Sequence, residues 1–481
     1  MLEAEDKSFI TLNAAEGAGR SAWVLGLGAS GRAAAQYLND HGWRVHAFDT
    51  REAPAGLDAF CKAVPGCEMT LGGFPETTAP GVELVVMSPG VSPYFGAAAS
   101  VCASARKAGI PIVGEIELFA QELAYLKRTQ GYAPKVIGIT GTNGKTTTTT
   151  LTTKMAAAAG LYAVAAGNIG PNAVAELSKA EAAGALPDIW VLELSSFQLE
   201  TTHTLNCTSA ALLNITEDHI NRFGSMEAYI AAKMRVFENQ TEQDFAVLNA
   251  DDPIVSAAET KAKKLYFSRL HEVRDGAFVR SGIIIFRMNG VETQLIPANE
   301  LGIIGAHNLE NALCAVCLAM SMGVKPDVVC NVLKSFKGVE HRIEYTRCLN
   351  GITFYNDSKG TNPESTVKAV EAMTKPTVLM LGVGNYDKQS DYRPVFRAFN
   401  GRVKAVVVNG SNTEAIMRAA KEEGFKNIYP CSDDFRALIL KAASLAEPGD
   451  AVLLSPACAS WGMFDNFEQR GDIFKEIVNS L

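Results

Sequence analysis

Residues 138–148 read GITGTNGKTTT; the apolar run KVIGIT leads into them from Lys135, and a Thr-rich stretch that reads as a helix leads out. A buried strand that turns through Gly-rich residues into a helix aims backbone N–H groups at whatever anion sits before the helix. Lys145 adds a positive charge and Thr146 a hydroxyl suited to a hard divalent cation, so the stretch reads as a phosphate loop for ATP and Mg²⁺. The strict long spacing of such loops would need Gly where Ile139 stands; the shorter Gly-x-x-Gly-Lys-Thr core starts at Gly141. Gly141, Thr142, Asn143, Gly144, Lys145, Thr146 and Thr147 are the candidate nucleotide contacts.

Outward from this loop the chain alternates apolar runs with helical patterns. Downstream come IWVLELSS, SAALLNIT and FAVLNADD, then the hairpin-like GAFVRSGIIIFRMNG and two helices ending near Phe336, with a boundary after GVEHR. Upstream lie AWVLGLG, RVHAFD, CEMTLGG, ELVVMSPG and PIVGE, and the pattern breaks at AYLKRTQGYAPK, residues 124–135. From ITFYNDS onward TVLMLGV, KAVVVNG, NIYPC and DAVLLSPA are each followed by a helix, and NFEQRGDIFKEIVNSL closes the chain. Strand–helix alternation of this kind predicts parallel sheets with crossover helices. The expected fold class is α/β, with three consecutive domains: Rossmann-like over 1–130, P-loop ATPase-like over 131–340 and Rossmann-like over 341–481.

Composition narrows the function classes. The chain has 481 residues, 47% hydrophobic and 20% charged, with a net charge of −8. No cluster of Lys and Arg suited to phosphate neutralisation stands out, which argues against a nucleic-acid binder. The start, MLEAEDKSFITLNAAEGAGR, lacks the basic and apolar regions of a secretory signal, and no uncharged run reaches spanning length. A cytoplasmic protein without membrane insertion is expected, and a monomer. The ten Cys are scattered, and the one C-x-x-C, Cys314 and Cys317, falls on one face of a helical pattern, where packing is the reading.

A second Gly-rich stretch, VLGLGASG at 24–31, fits G-x-G-x-x-G at Gly26, Gly28 and Gly31, and the next apolar run ends in Asp49. Alone, it predicts NAD. The fingerprint encodes only a tight turn, a close backbone approach and a helix N-terminus aimed at a pyrophosphate, and a UDP-sugar carries a pyrophosphate too. Beyond the phosphate loop, Glu193 ends a hydrophobic strand, Glu217, Asp218 and His219 follow another, and Lys233 stands amid Ala and Met on a helix. Glu193, Thr146 and His219 together suit hard cations between ATP phosphates and a second substrate.

The motifs GITGTNGKTT, GNIG (167–170), LELSSFQLE, NITEDH, AAKMR, GAHNLENALCA, EHRIE, NDSKGTN and SPACAS with NFEQRG resemble, in order, those of the Mur ligases. The resemblance runs from about residue 22 to the C-terminus, and its last two motifs point to the branch that adds D-glutamate to UDP-N-acetylmuramoyl-L-alanine. It implies ATP-dependent amide formation through an acyl phosphate in peptidoglycan precursor synthesis, with small-molecule substrates. It also implies roles for single residues. Lys145 and Thr146 match ATP-phosphate and Mg²⁺ ligands, Glu193 a magnesium ligand, His219 a second-metal ligand and Lys233 a carbamylated lysine. Asn308, Asn311, Arg342 and Asp357 match positions around the nucleotide. Gly28, Ala29, Ser30, Gly31, Asp49, Thr50, Arg51, Ser88, Pro89, Gly90 and Asn168 match the UDP-substrate side. Lys359, Thr361, Lys388, Ser460 and Phe467 match the D-glutamate side. Two runs depart from the family pattern: GVGNYDK around Asp387 and Lys388, and SWGMF, where Gly462 stands in place of Asp. Competing readings are a related ligase with another amino acid acceptor, such as a folylpolyglutamate synthase, and an NAD-dependent dehydrogenase, which accounts for residues 24–49 alone.

Overall fold

The structure, a computed structural model, describes residues 14–54, 56–385, 390–432 and 434–481. Its strands form three sheets. The first is all parallel, in the order β3-β2-β1-β4-β5, from β1 (Ser21–Leu25), β2 (Arg44–Asp49), β3 (Glu68–Leu71), β4 (Leu84–Met87) and β5 (Ile112–Gly114). Helix Ala29–Asp40 turns Ala34, Ala35, Tyr37 and Leu38 inward, the i, i+1, i+3, i+4 spacing of one apolar stripe.

The second sheet runs β14-β13-β12-β11-β10-β9-β6-β8-β7. Its strands are β6 (Lys135–Thr140), β7 (Ala163–Gly167), β8 (Ile189–Glu193), β9 (Ser209–Leu212), β10 (Phe245–Asn249), β11 (Lys263–Ser268), β12 (Gly276–Arg280), β13 (Ile283–Met288) and β14 (Val291–Pro297). The hairpin pairs β12–β13 and β13–β14 are antiparallel. Strands β6, β8 and β9 are interior strands of the sheet and are buried on both faces, as their unbroken apolar runs require. The third sheet runs β15-β16-β20-β17-β18-β19, from β15 (Glu344–Leu349), β16 (Ile352–Asn356), β17 (Thr377–Leu381), β18 (Val403–Val408), β19 (Ile428–Pro430) and β20 (Ala451–Leu454); only β15–β16 is antiparallel.

These sheets fall into two compact units. One comprises Met1–Asn299 with Glu310–Val332 and holds the first two sheets; the other comprises Glu300–Leu309 with Leu333–Leu481 and holds the third. Within the first unit, helix Glu115–Gln130 joins the two sheets through buried carboxylates. Glu117, fully buried, accepts from the backbone N–H of His203 at 2.6 Å and of Thr204 at 2.8 Å, and from the Thr204 hydroxyl at 2.6 Å.

The expected three-part α/β order is present, with local differences. The break read at 124–135 is helical up to Gln130, and the chain turns only at Gly131, in the left-handed region at φ 71°. Strands β7, β11, β14 and β15 were not anticipated: β7 is Ala-rich, while β14 and β15 are sheet edges with largely exposed or half-buried polar positions. Cys314 and Cys317 are buried in helix Ala306–Ser321, and burial pushes both thiols up, as packing predicts.

Candidate functional site

Two left-handed glycines make the turn between β6 and helix Lys145–Ala158, Gly141 at φ 151° and Gly144 at φ 88°. Neighbours close off side chains there as well: a Cβ on Gly141 would lie 2.8 Å from the Leu213 Cβ, and one on Gly144 would lie 2.2 Å from the Asn311 Oδ1. The loop is laced to the segment after β9. The Asn143 N–H donates to the Asn214 Oδ1 at 2.8 Å, the Asn214 Nδ2 donates to the Asn143 carbonyl at 3.1 Å, and the Thr142 hydroxyl meets the Tyr229 hydroxyl at 3.0 Å. Thr146 and Thr147, in the first turn, are buried.

Two lysine amines converge on one carbonyl. The Lys145 Nζ donates to the Gly141 and Thr142 carbonyls, each at 2.9 Å, and the Lys233 Nζ donates to the same Gly141 carbonyl at 2.8 Å. Lys233 is 2% exposed, a value that alone makes its charge costly. Burial, and then the Lys145 charge, hold its amine well below the ordinary lysine range, with Asp218 opposing. His219, in the left-handed region at φ 55°, is lowered by burial, with Asp218 opposing and Lys233 and Lys145 adding to the fall. The predicted Lys145, His219 and Lys233 therefore share one electrostatic neighbourhood.

Glu193 ends β8 against the GNIG turn. Its Oε1 accepts from the Asn168 Nδ2 at 2.8 Å, and its carbonyl accepts from the Asn168 N–H at 2.8 Å. The second oxygen, Oε2, is buried with no hydrogen-bond partner among the described residues. A buried carboxylate oxygen left open in this way fits a ligand for a hard cation such as Mg²⁺. One tight cluster of three acidic or imidazole ligands occurs elsewhere among the described residues, at Glu340, His341 and Asp472. Lys475 already supplies its positive charge, at 2.6 Å from Glu340 and 3.1 Å from Asp472.

In the first sheet the Gly-rich turn is as tight as its fingerprint demands: a Cβ on Gly31 would lie 1.8 Å from the Gly26 carbonyl oxygen. Gly28 caps helix Ala29–Asp40, which opens with Ala29 and Ser30, and Ser30 accepts from the Asn172 Nδ2 at 3.2 Å. Asp49 is engaged within the chain through both carboxylate oxygens. Its Oδ2 takes the Leu27 N–H at 2.7 Å and the Arg51 Nη2 at 2.7 Å, while its Oδ1 takes the Arg51 N–H at 2.9 Å and Nε at 2.8 Å. Two of the four bonds come from the Arg51 side chain, which is 54% exposed. Hydrogen bonds from Arg51 lead in holding the Asp49 carboxyl down to about 2. Thr50 and Arg51 stand exposed beside it, and Ser88, Pro89 and Gly90 form the turn after β4.

In the second unit Asp357 is buried, and burial pushes its carboxyl up to about 7, opposed by the Ser455 hydroxyl at 2.7 Å and by Arg342. Asn308 donates to the Ile304 carbonyl at 2.7 Å; Asn311, three residues later on the same helix, belongs to the first unit. Lys359 lies over the Phe467 ring, 5.4 Å from its centroid; the Thr361 N–H donates to the Lys359 carbonyl at 2.9 Å, and Ser460 is buried. Lys388 and Asp387 lie outside the described residues. Gly462 takes φ 83°, and a Cβ there would lie 2.7 Å from the Asn385 Cβ, so the family's Asp does not fit this turn.

Sequence reasoning passed over four residues here: Asn214, Tyr229, Arg222 and Arg470. Arg470 is fully buried and donates to Ser358, Val383 and Cys458, including 2.6 Å to the Val383 carbonyl and 2.7 Å to the Ser358 carbonyl. Its only local trace is an Arg in the opening turns of the closing amphipathic helix, within NFEQRG.

Family models cover most of the chain: a Mur ligase MurD-like N-terminal domain over 20–114, a Mur ligase middle domain over 139–319 and a Mur ligase glutamate ligase domain over 341–458. The chain is 42% identical to UDP-N-acetylmuramoylalanine--D-glutamate ligase of Pelotomaculum thermopropionicum, over 95% of this chain and 97% of that protein. It is 41% identical to the ligase of the same name from Ralstonia nicotianae, over 95% and 96%. In fold it is similar to the crystal structure of UDP-N-acetylmuramate-alanine ligase MurC from Thermotoga maritima, with a TM-score of 0.55, 19% identity, and coverage of 96% of this chain and 99% of that one.

Proposed function

The chain belongs to the Mur ligase family, and we infer that it joins the amine of D-glutamate to the carboxyl of UDP-N-acetylmuramoyl-L-alanine, with ATP converted to ADP and phosphate. The observation that carries this reading is the pair of lysines on the Gly141 carbonyl, set in a loop built to receive phosphates. The substrate carboxylate attacks the γ-phosphorus of ATP, giving an acyl phosphate and ADP; the D-glutamate amine then adds to the acyl carbon, and the tetrahedral adduct expels phosphate. Charge builds on phosphoryl oxygens in the first step and on the acyl oxygen in the second, and fixed donors must offset it. Lys145 leaves its loop carbonyls for the phosphates, joined by N–H groups of the loop and helix start.

Glu193, Thr146 and His219 would hold Mg²⁺, which neutralises phosphate charge when bound. Lys233, kept neutral by burial beside Lys145, takes up CO₂ with loss of a proton and becomes a carbamate, a further oxygen ligand. We assign Gly28 to Gly31, Thr50, Arg51 and the Ser88–Gly90 turn to the UDP-linked substrate. A UDP-sugar brings the pyrophosphate that this turn and helix start suit, and the name the chain's relatives share favours it over NAD. Asn308, Asn311, Arg342 and Asp357 are assigned to the nucleotide, and Lys359, Thr361, Ser460 and Phe467 to D-glutamate. The reaction belongs in the cytoplasm, where ATP and nucleotide sugars are made; among the described residues no helix is long and apolar enough to cross a membrane.

The test is phosphate release by the purified chain with ATP, Mg²⁺ and UDP-N-acetylmuramoyl-L-alanine. The expected result is release that depends on D-glutamate. Release indifferent to the amino acid, or micromolar NAD binding without a response to the UDP-sugar, would overturn the reading.

A further inference from the structure

Arg222 follows His219 by three residues, yet its side chain is only 10% exposed, because the guanidinium reaches from the second sheet's loop to the first sheet. Its Nη1 donates to the Pro89 carbonyl at 3.0 Å, and its Nη2 donates to the Val91 carbonyl at 3.2 Å and to the Glu200 Oε2 at 2.6 Å. Pro89 and Val91 belong to the turn after β4, while Glu200, 8% exposed, ends the short helix that follows Glu193. The Phe197 ring of that helix lies 4.4 Å from the guanidinium carbon and 4.7 Å from the His219 ring. One side chain thus ties the turn, the His219 segment and the segment beyond Glu193 together.

The turn it grips is packed on the Gly-rich loop. The Ser88 N–H donates to the Leu25 carbonyl at 2.9 Å and the Val91 N–H to the Ser88 carbonyl at 2.9 Å. A Cβ on Gly26 would lie 2.9 Å from both the Ser88 Cβ and the Val91 Cγ2, so the two loops are packed with no room for a side chain between them. A planar guanidinium can serve two carbonyls and a carboxylate at once; an ammonium on a flexible stem cannot hold the same three directions. The Arg222 Nε is left buried with no partner among the described residues, so the orientation is set by those three contacts.

We propose that Arg222 is a positioning residue for the UDP-linked substrate: it locks the Pro89–Val91 turn to the His219 segment, so that a substrate held by the first sheet keeps its reacting carboxylate in register with the phosphate loop of the second. The proposal rests on the ligase reading and on the assignment of Ser88–Gly90 to that substrate. Arg222 touches no reacting atom and acts through the turn.

The test compares wild type, R222K, E200Q and the double variant in steady-state kinetics, with thermal unfolding and calorimetric ATP affinity measured alongside. R222K keeps the charge opposite Glu200 but loses the carbonyl fork, and should raise the KM for the UDP-substrate about tenfold. KM for ATP and for D-glutamate should stay within about twofold, because neither assigned site includes the turn. E200Q, which leaves Arg222 in place but loosens its anchor, should raise the same KM about threefold, and the double variant should be no worse than R222K. Should R222K fail to fold, the selective rise in E200Q decides. An unchanged UDP-substrate KM, or a parallel change in all three KM values with a lowered Tm, overturns the positioning role and makes the contact merely structural. A wild-type chain without D-glutamate-dependent phosphate release overturns the ligase reading instead, and this proposal with it.

Discussion

At the residue scale the site turns on two lysines that cannot comfortably both be charged. Lys145 and Lys233 donate to the same carbonyl, and only Lys145 has a second loop carbonyl to share its charge with. The buried partner therefore loses its proton more readily, which is the state a carbamate needs. Lys145→Ala should lower kcat by about 10²–10⁴, since its charge matters most on the developing phosphoryl transition state, while calorimetry should find UDP-substrate affinity unchanged. Equal loss of that affinity would place the substrate at the wrong loop. Lys233→Ala should abolish turnover, crystallography near neutral pH should find a CO₂ adduct on wild-type Lys233, and short carboxylic acids should restore part of the variant's rate. Full activity of Lys233→Ala in bicarbonate-free buffer would sink the carbamate.

At the scale of elements, helix Phe467–Ser480 is anchored by a cation rather than by apolar packing alone. Among the described residues Arg470 has no carboxylate in hydrogen-bond contact; it donates to the carbonyls of Val383, Ser358 and Cys458 and to the Ser358 hydroxyl. Burial leads in pulling its guanidinium down to about 10. Replacing the fork by one ammonium leaves buried carbonyls unpaired, so Arg470→Lys should lower stability by about 2–4 kcal/mol in urea unfolding followed by circular dichroism. A loss below about 1 kcal/mol would mean that water replaces those donors. Such an anchor shows where sequence reading stops. The phosphate loop, the central strands and the hairpin were legible because local pattern decides them: Gly spacing, unbroken apolar runs and alternation. Strands β14 and β15 were not, since an edge strand needs no apolar run, and Ala-rich β7 mimics a helix. Within the candidate site, Lys145 stood out in its Gly-rich loop, Glu193 and His219 at and after the ends of apolar strands, and Lys233 amid Ala and Met on a helix. Arg222 and Arg470 did not, because their partners lie more than a hundred residues away for Pro89 and Ser358 and no local pattern encodes such a meeting.

At the scale of the whole molecule, a buried acid at the joint of the first two sheets links stability to pH. Glu115 opens helix Glu115–Gln130, and its Oε1 accepts from the Val174 N–H at 2.7 Å, at the start of helix Ala173–Ala182. Its Oε2 is buried without a partner among the described residues. Burial pushes the carboxyl up from an ordinary 4.5 to about 7, against the pull of the Val174 and Ala173 N–H groups. The folded state thus keeps a proton that the unfolded chain releases, so this contribution is fully present below about pH 4.5 and is lost as pH rises toward 7, by about 3 kcal/mol in all. Asp357 titrates in the same sense in the second unit, so the pH profile of wild type alone does not isolate Glu115. Glu115→Gln does, because Asp357 is common to both chains and cancels in the difference. The amide oxygen can still accept from Val174, and no charge has to be buried at any pH. The Tm of Glu115→Gln minus that of wild type should therefore rise between pH 5 and pH 8 and flatten above it. A difference that stays constant across that range would mean the carboxylate is solvated in the folded state, and the joint would then carry no pH dependence of its own.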